Sequence, residues 1–223
     1  MSAEVQEVLE EILDHHRRAG RKIAKHFKRT RKGRAGIDRL EAFGVPIPDD
    51  FRALYHHYDG AQPNVMWEES MKVFGEFNWC DTGTLLSGNK VTRSRKLPLT
   101  DRLWIAHGDR ALKLELAPAL SADGLCPIVA AYSANSEKSF IAFDSTLGYL
   151  RAVREALGSG AIDLAGEKPE IDKLGFAKAV AAHNARDEFW NAYARDEIDW
   201  DFIDWDAHED PEEALRLHRA RQA

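Results

Sequence analysis

Three leucines, Leu112, Leu114 and Leu116, alternate with Lys113 and Glu115, and no other stretch constrains the fold as tightly. Successive side chains of a strand point to opposite faces, so this segment has one dry face and one wet face. A half-dry strand is not stable alone. It needs neighbouring strands and an apolar layer over its leucine side. Short apolar runs separated by Gly, Asn, Asp and Pro supply the neighbours: Val73 to Trp79, Arg102 to Ala106, Ala111 to Leu116, Pro127 to Tyr132 and Ser139 to Phe143. Ala122 to Gly124 and Ala134 to Lys138 read as the turns between them.

The layer comes from segments with helical spacing. Val5, Val8, Leu9, Ile12, His16, Ala19, Ile23 and Phe27 recur at three- and four-residue steps, which predicts one long helix that TRKGRAG then breaks. Ile37 to Phe43 reads as a short helix. Pro46 and Pro48 hold an extended link, and Asp49 or Asp50 caps a third helix with Phe51, Leu54, Tyr55 and Tyr58 on its dry side. Ser145 or Thr146 caps a helix that ends at Gly158 to Gly160. Ala161 to Glu170 reads as loop, and Asp172 to Ala194 as one long helix whose alanines at 177, 179, 181, 182 and 185 permit close approach. Helices at both ends of a run of strands make the class α+β.

Charge is unevenly laid out. Ten Lys or Arg fall between His15 and Arg34, whereas twelve Asp or Glu fall between Asp187 and Glu213 with only Arg195 to oppose them. In the acidic stretch Ile198, Trp200, Phe202, Ile203 and Trp205 are interleaved with Asp199, Asp201, Asp204 and Asp206. Two tryptophans in six residues are costly to leave wet. They either fold back onto the domain or serve as anchors for a partner.

Three stretches resemble the SMI1/KNR4 (SUKH) superfamily. The first is FGVPIPDDFRALYHHYDG, in which Pro48, Asp50, Phe51, Leu54, Tyr55, Asp59 and Gly60 stand where members carry a Pro, an acid, an aromatic and a helix ending in an acid and Gly. The second is the strand pair LWIAHGDRALKLELAPA. The third is PIVAAYSANSEKSFIAFDSTLGYL, a strand, polar turn, strand and helix. The likeness covers about half of the chain, from Leu40 to Leu157. It departs in having a single glycine between His107 and Arg110, and Glu115 where an Asp is common. The resemblance implies a single α+β domain with a mixed, largely antiparallel sheet surrounded by helices. The chain then divides into three parts: a basic helix over 1–36 and a helical extension with an acidic aromatic tail over 161–223, neither of which belongs to the family's core pattern, and the SMI1/KNR4-like core over 37–160. Bacterial members are commonly immunity proteins that neutralise a toxin domain, often a nuclease, and fungal ones are interaction proteins in cell-wall regulation. Neither implies catalysis or a cofactor.

The expectation is therefore a non-catalytic protein-binding protein, with a basic toxin domain as its partner. The alternatives are a housekeeping regulator or scaffold of the same fold, and an unrecognised hydrolase. The candidate partner-binding residues are Asp59, Asp109, Glu115, Asp199, Trp200, Asp201, Asp204, Trp205 and Asp206, with the loops after Gly60, at His107 to Arg110 and at Ala134 to Lys138 sharing the surface. No cofactor and no metal are expected: HExxH, HxH, CxxC, GxSxG and the glycine-rich phosphate loops are all missing from the sequence. Nucleic-acid binding by the basic helix is disfavoured because no helix–turn–helix sequel, zinc finger or RNP-like strand accompanies it. The acidic start, MSAEVQEVLEEIL, is unlike a signal peptide. Only two cysteines occur and no run approaches eighteen apolar residues, so a reducing, cytoplasmic setting is expected.

Overall fold

The computed structural model describes residues 2–21, 31–42, 44–59, 77–87, 102–107, 112–118, 125–132, 135–166, 168–195 and 197. Its elements in chain order are α1 (Ser2–Arg18), α2 (Arg31–Ala42), α3 (Asp49–His57), β1 (Asn78–Trp79), α4 (82–87), β2 (Leu103–His107), β3 (Leu112–Leu116), β4 (Ile128–Tyr132), β5 (Asn135–Phe143), α5 (Thr146–Ser159), β6 (Ile162–Asp163), β7 (Glu170–Ile171), α6 (Lys173–His183) and α7 (Glu188–Ala194). The first five strands form one sheet in the order β1-β2-β3-β4-β5, and β6 and β7 form a small separate pair. Every described pairing is antiparallel. The chain is a mixed α+β domain.

The alternation at Leu112, Leu114 and Leu116 decides how the sheet is layered. All three leucines are buried in the continuous core, together with Ile128, Ala130 and Phe143 of the neighbouring strands. Trp79 of β1 is on this side as well, since it pairs with Ala106, which pairs with Leu114. Its ring stacks on Tyr149 of α5 with centroids 5.7 Å apart, and lies 6.0 Å from Phe51 and 6.2 Å from Tyr55 of α3. Phe143 continues the aromatic layer to Tyr149 and to Trp190 of α7. Helices α3, α5 and α7 thus cover one face of the sheet.

Helix α1 adds a second helical layer. Val5, Val8, Leu9, Ile12, Leu13 and His16 are buried, and its acids are paired with cations of α5, Glu4 with Arg151 and Glu11 with Arg154. The long first helix expected from periodicity stops at Arg18. Gly20 takes φ 73°, its N–H donates to the Arg17 carbonyl and the Arg21 N–H donates to the His16 carbonyl. That is a Schellman stop, which glycine permits without steric cost. Ile23 and Phe27 lie outside the described residues.

Helix α2 begins earlier than its sequence suggests and runs through the glycines of RKGRAG. These glycines mark close packing and not a break. A Cβ at Gly33 would collide with the backbone carbonyl of Tyr55, and one at Gly36 would collide with the Thr82 side chain.

The expected helix from Asp172 to Ala194 is two helices, interrupted at Asn184. The Asn184 side chain accepts from the Asp144 N–H at 2.9 Å and donates to the Val180 carbonyl at 3.1 Å and the Gly148 carbonyl at 3.4 Å. The Asp144 carboxylate in turn accepts from the Ala185 N–H and from Arg186. These bonds to the β5–α5 junction draw the chain out of helix. Two loops are also corrected. Residues of Ala161 to Glu170 contribute both strands of the β6–β7 pair, and residues 135–138 belong to β5, because Tyr132 pairs with Asn135. Of the alanines expected to bring α6 close to another element, Ala177 and Ala179 are buried; Ala181, Ala182 and Ala185 are exposed.

The two kinds of glycine separate in stability. Ala is the better helix former by about 1 kcal/mol, so Gly158→Ala, on the exposed part of α5 with nothing within 4 Å, should raise the urea midpoint. Gly33→Ala should lower it despite the same gain in propensity, because backbone must move. Equal shifts of one sign would contradict the close packing of α2 on α3.

Candidate functional site

Register sets the residues of the sheet's other face in two rows. Asn78 pairs with His107, His107 with Lys113, Lys113 with Ala131, and Ala131 with Ser139. The second row is Trp104, Glu115, Val129 and Ile141. This is the face turned away from α3, α5 and α7.

Glu115, a predicted partner residue, sits within this face. Its carboxylate is 3.6 Å from the guanidinium of Arg102, and its side chain is 21% exposed. Burial pushes its pKa up, against the opposing pull of Arg102 and Lys113. The Lys113 ammonium stands 5.6 Å from the Trp104 ring centroid, and the Trp104 indole N–H donates to the Ala106 carbonyl at 2.8 Å. The result is a half-buried arrangement of two cations, one carboxylate and one indole.

Asp59, the other described candidate, does different work. It accepts from the Thr82 N–H at 3.0 Å and the Thr82 hydroxyl at 2.6 Å. It ties the end of α3 to the start of α4, where Asp81 caps the helix by accepting from the Thr84 N–H at 2.8 Å. With its carboxylate so engaged, Asp59 acts as a fold residue. It is not brought together with Glu115. Asp109, Asp199, Trp200, Asp201, Asp204, Trp205 and Asp206 lie outside the described residues, as do the loop after Gly60 and most of His107 to Arg110.

Among the described carboxylates Asp50 is the least exposed, at 6%. It accepts from the Phe51 N–H at 2.8 Å and from the Leu147 N–H at 3.0 Å, so one side chain joins the N-terminal turns of α3 and α5. Burial raises its pKa, and those backbone donors oppose the rise. Of the two cysteines, both are buried, and burial holds the Cys80 thiol far above its ordinary value. A thiolate there is strongly disfavoured. No group of three metal-binding side chains occurs among the described residues, and none of the described helices is long and apolar enough to cross a membrane.

No known family model matches the chain, and no curated protein matches it. The site is therefore read from its own chemistry.

Arg102, Trp104 and Lys113 were not among the candidate partner residues chosen from the sequence. The wet side of β3 was legible from alternation, which gives Lys113 and Glu115. The pairing that sets Trp104 beside Glu115 depends on a register shift in β2 between Trp104 and Ala106. Alternation alone does not encode such a bulge.

The two buried carboxylates set a pH dependence of unusual sign. A carboxyl whose folded pKa is raised binds a proton more tightly when folded, so its stabilising share is present below the ordinary value of 4.5 for Glu115 and is lost as pH rises through the folded value. In urea titrations across this window, Glu115→Gln should be less sensitive to rising pH than the parent chain. An identical pH profile in the two proteins would contradict the burial of Glu115.

Proposed function

We propose that the chain is a non-catalytic binding protein of the SMI1/KNR4 type that neutralises a cognate bacterial toxin by occluding a basic, nuclease-like domain. The observation that carries this reading is the imbalance of the acidic end. Twelve acids between Asp187 and Glu213 face a single arginine, and Arg195 is already engaged by Glu197 at 2.7 Å. A stretch with so large an excess of acids attracts a basic surface and opposes its active-site cations.

Two further observations support it. The three stretches that carry the family resemblance take up the link after α2 with α3, the β2–β3 pair, and β4–β5 with the start of α5, which is the order the resemblance implies. The basic end is partly spent on its own fold. Arg17 binds Glu10 and Asp14, Arg18 binds the Asp14 carbonyl, and Arg21 reaches the Gly166 carbonyl. Cations so engaged are poor phosphate contacts, which favours a protein partner over nucleic acid.

The test is co-expression with toxin domains encoded beside the chain. Rescue of growth and a stable complex are expected; a chain that protects against none of them and binds none of them contradicts the reading. Within such a complex, replacing Asp199, Asp201, Asp204 and Asp206 with lysine should slow association by about tenfold at low salt and much less at high salt. An association rate indifferent to both charge and salt would rule out steering by this segment.

A further inference from the structure

Between α6, α7 and the residue that enters β1 lies a small cavity walled almost wholly by rings. Its lining is Phe77, Ile171 of β7, Lys173 and Phe176 of α6, and Trp190 and Tyr193 of α7. Phe77, Phe176 and Tyr193 stand nearly perpendicular to the Trp190 indole, at 85°, 75° and 82°, with centroids 6.3, 4.9 and 5.5 Å away. Phe77, Phe176 and Trp190 are buried, and the Trp190 indole is pinned by its hydrogen bond to the Ala142 carbonyl. The core of the fold therefore sets these walls in advance of any ligand.

The single charged group in the lining is Lys173. Its ammonium stands over the Tyr193 ring, 4.8 Å from the centroid. That lies inside the range of about 6 Å over which the negative face of a ring attracts a cation. Lys173 is also the first residue of α6, directly after the N-cap Asp172. The positive end of a helix dipole disfavours a cation there, so it is the ring face, and not the helix, that favours the ammonium in this place. With Lys173 so placed the cavity measures about 10 Å³, room for one water.

We propose that this cage is a binding site for a quaternary ammonium group, and that Lys173 is the resident cation that leaves when the ligand enters. The lining selects the class. It contains no carboxylate, so a metal ion or a primary ammonium would give up its water without gaining oxygen ligands or acceptors. A quaternary ammonium has no N–H to satisfy, and its diffuse charge suits ring faces. A neutral apolar group would fill the same space but gain nothing from the charge-attracting face of Tyr193. The Lys173 side chain is long and only half-buried, so it can swing out and open the space it now closes. Two sources carry the group: a free choline-like molecule, and the side chain of a trimethylated lysine in a partner. The site is separate from the acidic stretch and does not depend on the toxin reading.

The experiment titrates the full, isotope-labelled chain with choline at constant chloride and follows the Trp190 indole N–H. A saturable shift is expected. The uncharged carbon isostere of choline, dimethylbutanol, should bind about tenfold more weakly, because it keeps the shape and loses the charge. Lys173→Ala should tighten choline binding about threefold, since no resident cation has to be displaced, and Tyr193→Leu should weaken it about tenfold. Absence of a saturable shift in both the parent chain and Lys173→Ala, or equal affinity for choline and its isostere, overturns the proposal. Neither of those results requires a change to a buried ring, so they decide the matter even where Tyr193→Leu fails to fold. A parallel titration with a short peptide bearing trimethyllysine separates the sources. Tighter binding than choline assigns the group to a partner's side chain, and weaker binding assigns it to a free small molecule.

Discussion

The stack of rings between the sheet and its helices is the contact on which the rest of the structure depends. Trp79 is the joint: it belongs to the end strand of the sheet yet touches Phe51 and Tyr55 of α3 and Tyr149 of α5. From Tyr149 the layer passes through Phe143 to Trp190 and so to α7. Aromatic side chains bury large areas with few rotatable bonds, so a short five-stranded sheet can hold three helices. The polar tips in this layer are placed with care. The Tyr55 hydroxyl donates to the Cys80 carbonyl at 2.6 Å, and the Trp190 indole to the Ala142 carbonyl.

Buried polar groups then fix how the helices enter that layer. Asp50 holds the first turns of α3 and α5 together, and Asn184 with Asp144 holds the break between α6 and α7 to the start of α5. Gly148 leaves the space this needs, since a Cβ there would stand 2.6 Å from the Asn184 side-chain oxygen. Each such bond adds about 1 kcal/mol net, but leaving a buried partner unmade costs about 1–3 kcal/mol. Their main effect is therefore on geometry: they exclude alternative packings of α5, α6 and α7 more than they add to stability.

Much of the fold was legible because its signals are local. The leucine alternation of β3, the stripe Phe51, Leu54, Tyr55 and Tyr58, and the Ser145 cap, whose hydroxyl accepts from the Gly148 N–H, all act within a few residues. What was misread depends on distant partners. Gly33 and Gly36 look like breakers until Tyr55 and Thr82 are beside them. Asn184 looks like a helical residue until Asp144 claims its side chain. Gly20 was the exception, a local stop signal overridden by the apolar period around it. The candidate site divides in the same way. Glu115 was found through alternation, whereas Trp104 and Arg102 join it only through the register of β2 on β3. Asp59 was chosen as a partner residue, and in the structure its carboxylate is engaged by the Thr82 N–H and hydroxyl.

On the other face of the sheet the described residues concentrate charge: Arg102 stands beside Glu115, and Lys113 beside the Trp104 ring. The most direct measurement is the urea unfolding of Trp79→Ala against the parent chain. The account requires a loss of about 3–5 kcal/mol, as for truncation of a fully buried aromatic side chain. An unchanged midpoint would contradict it.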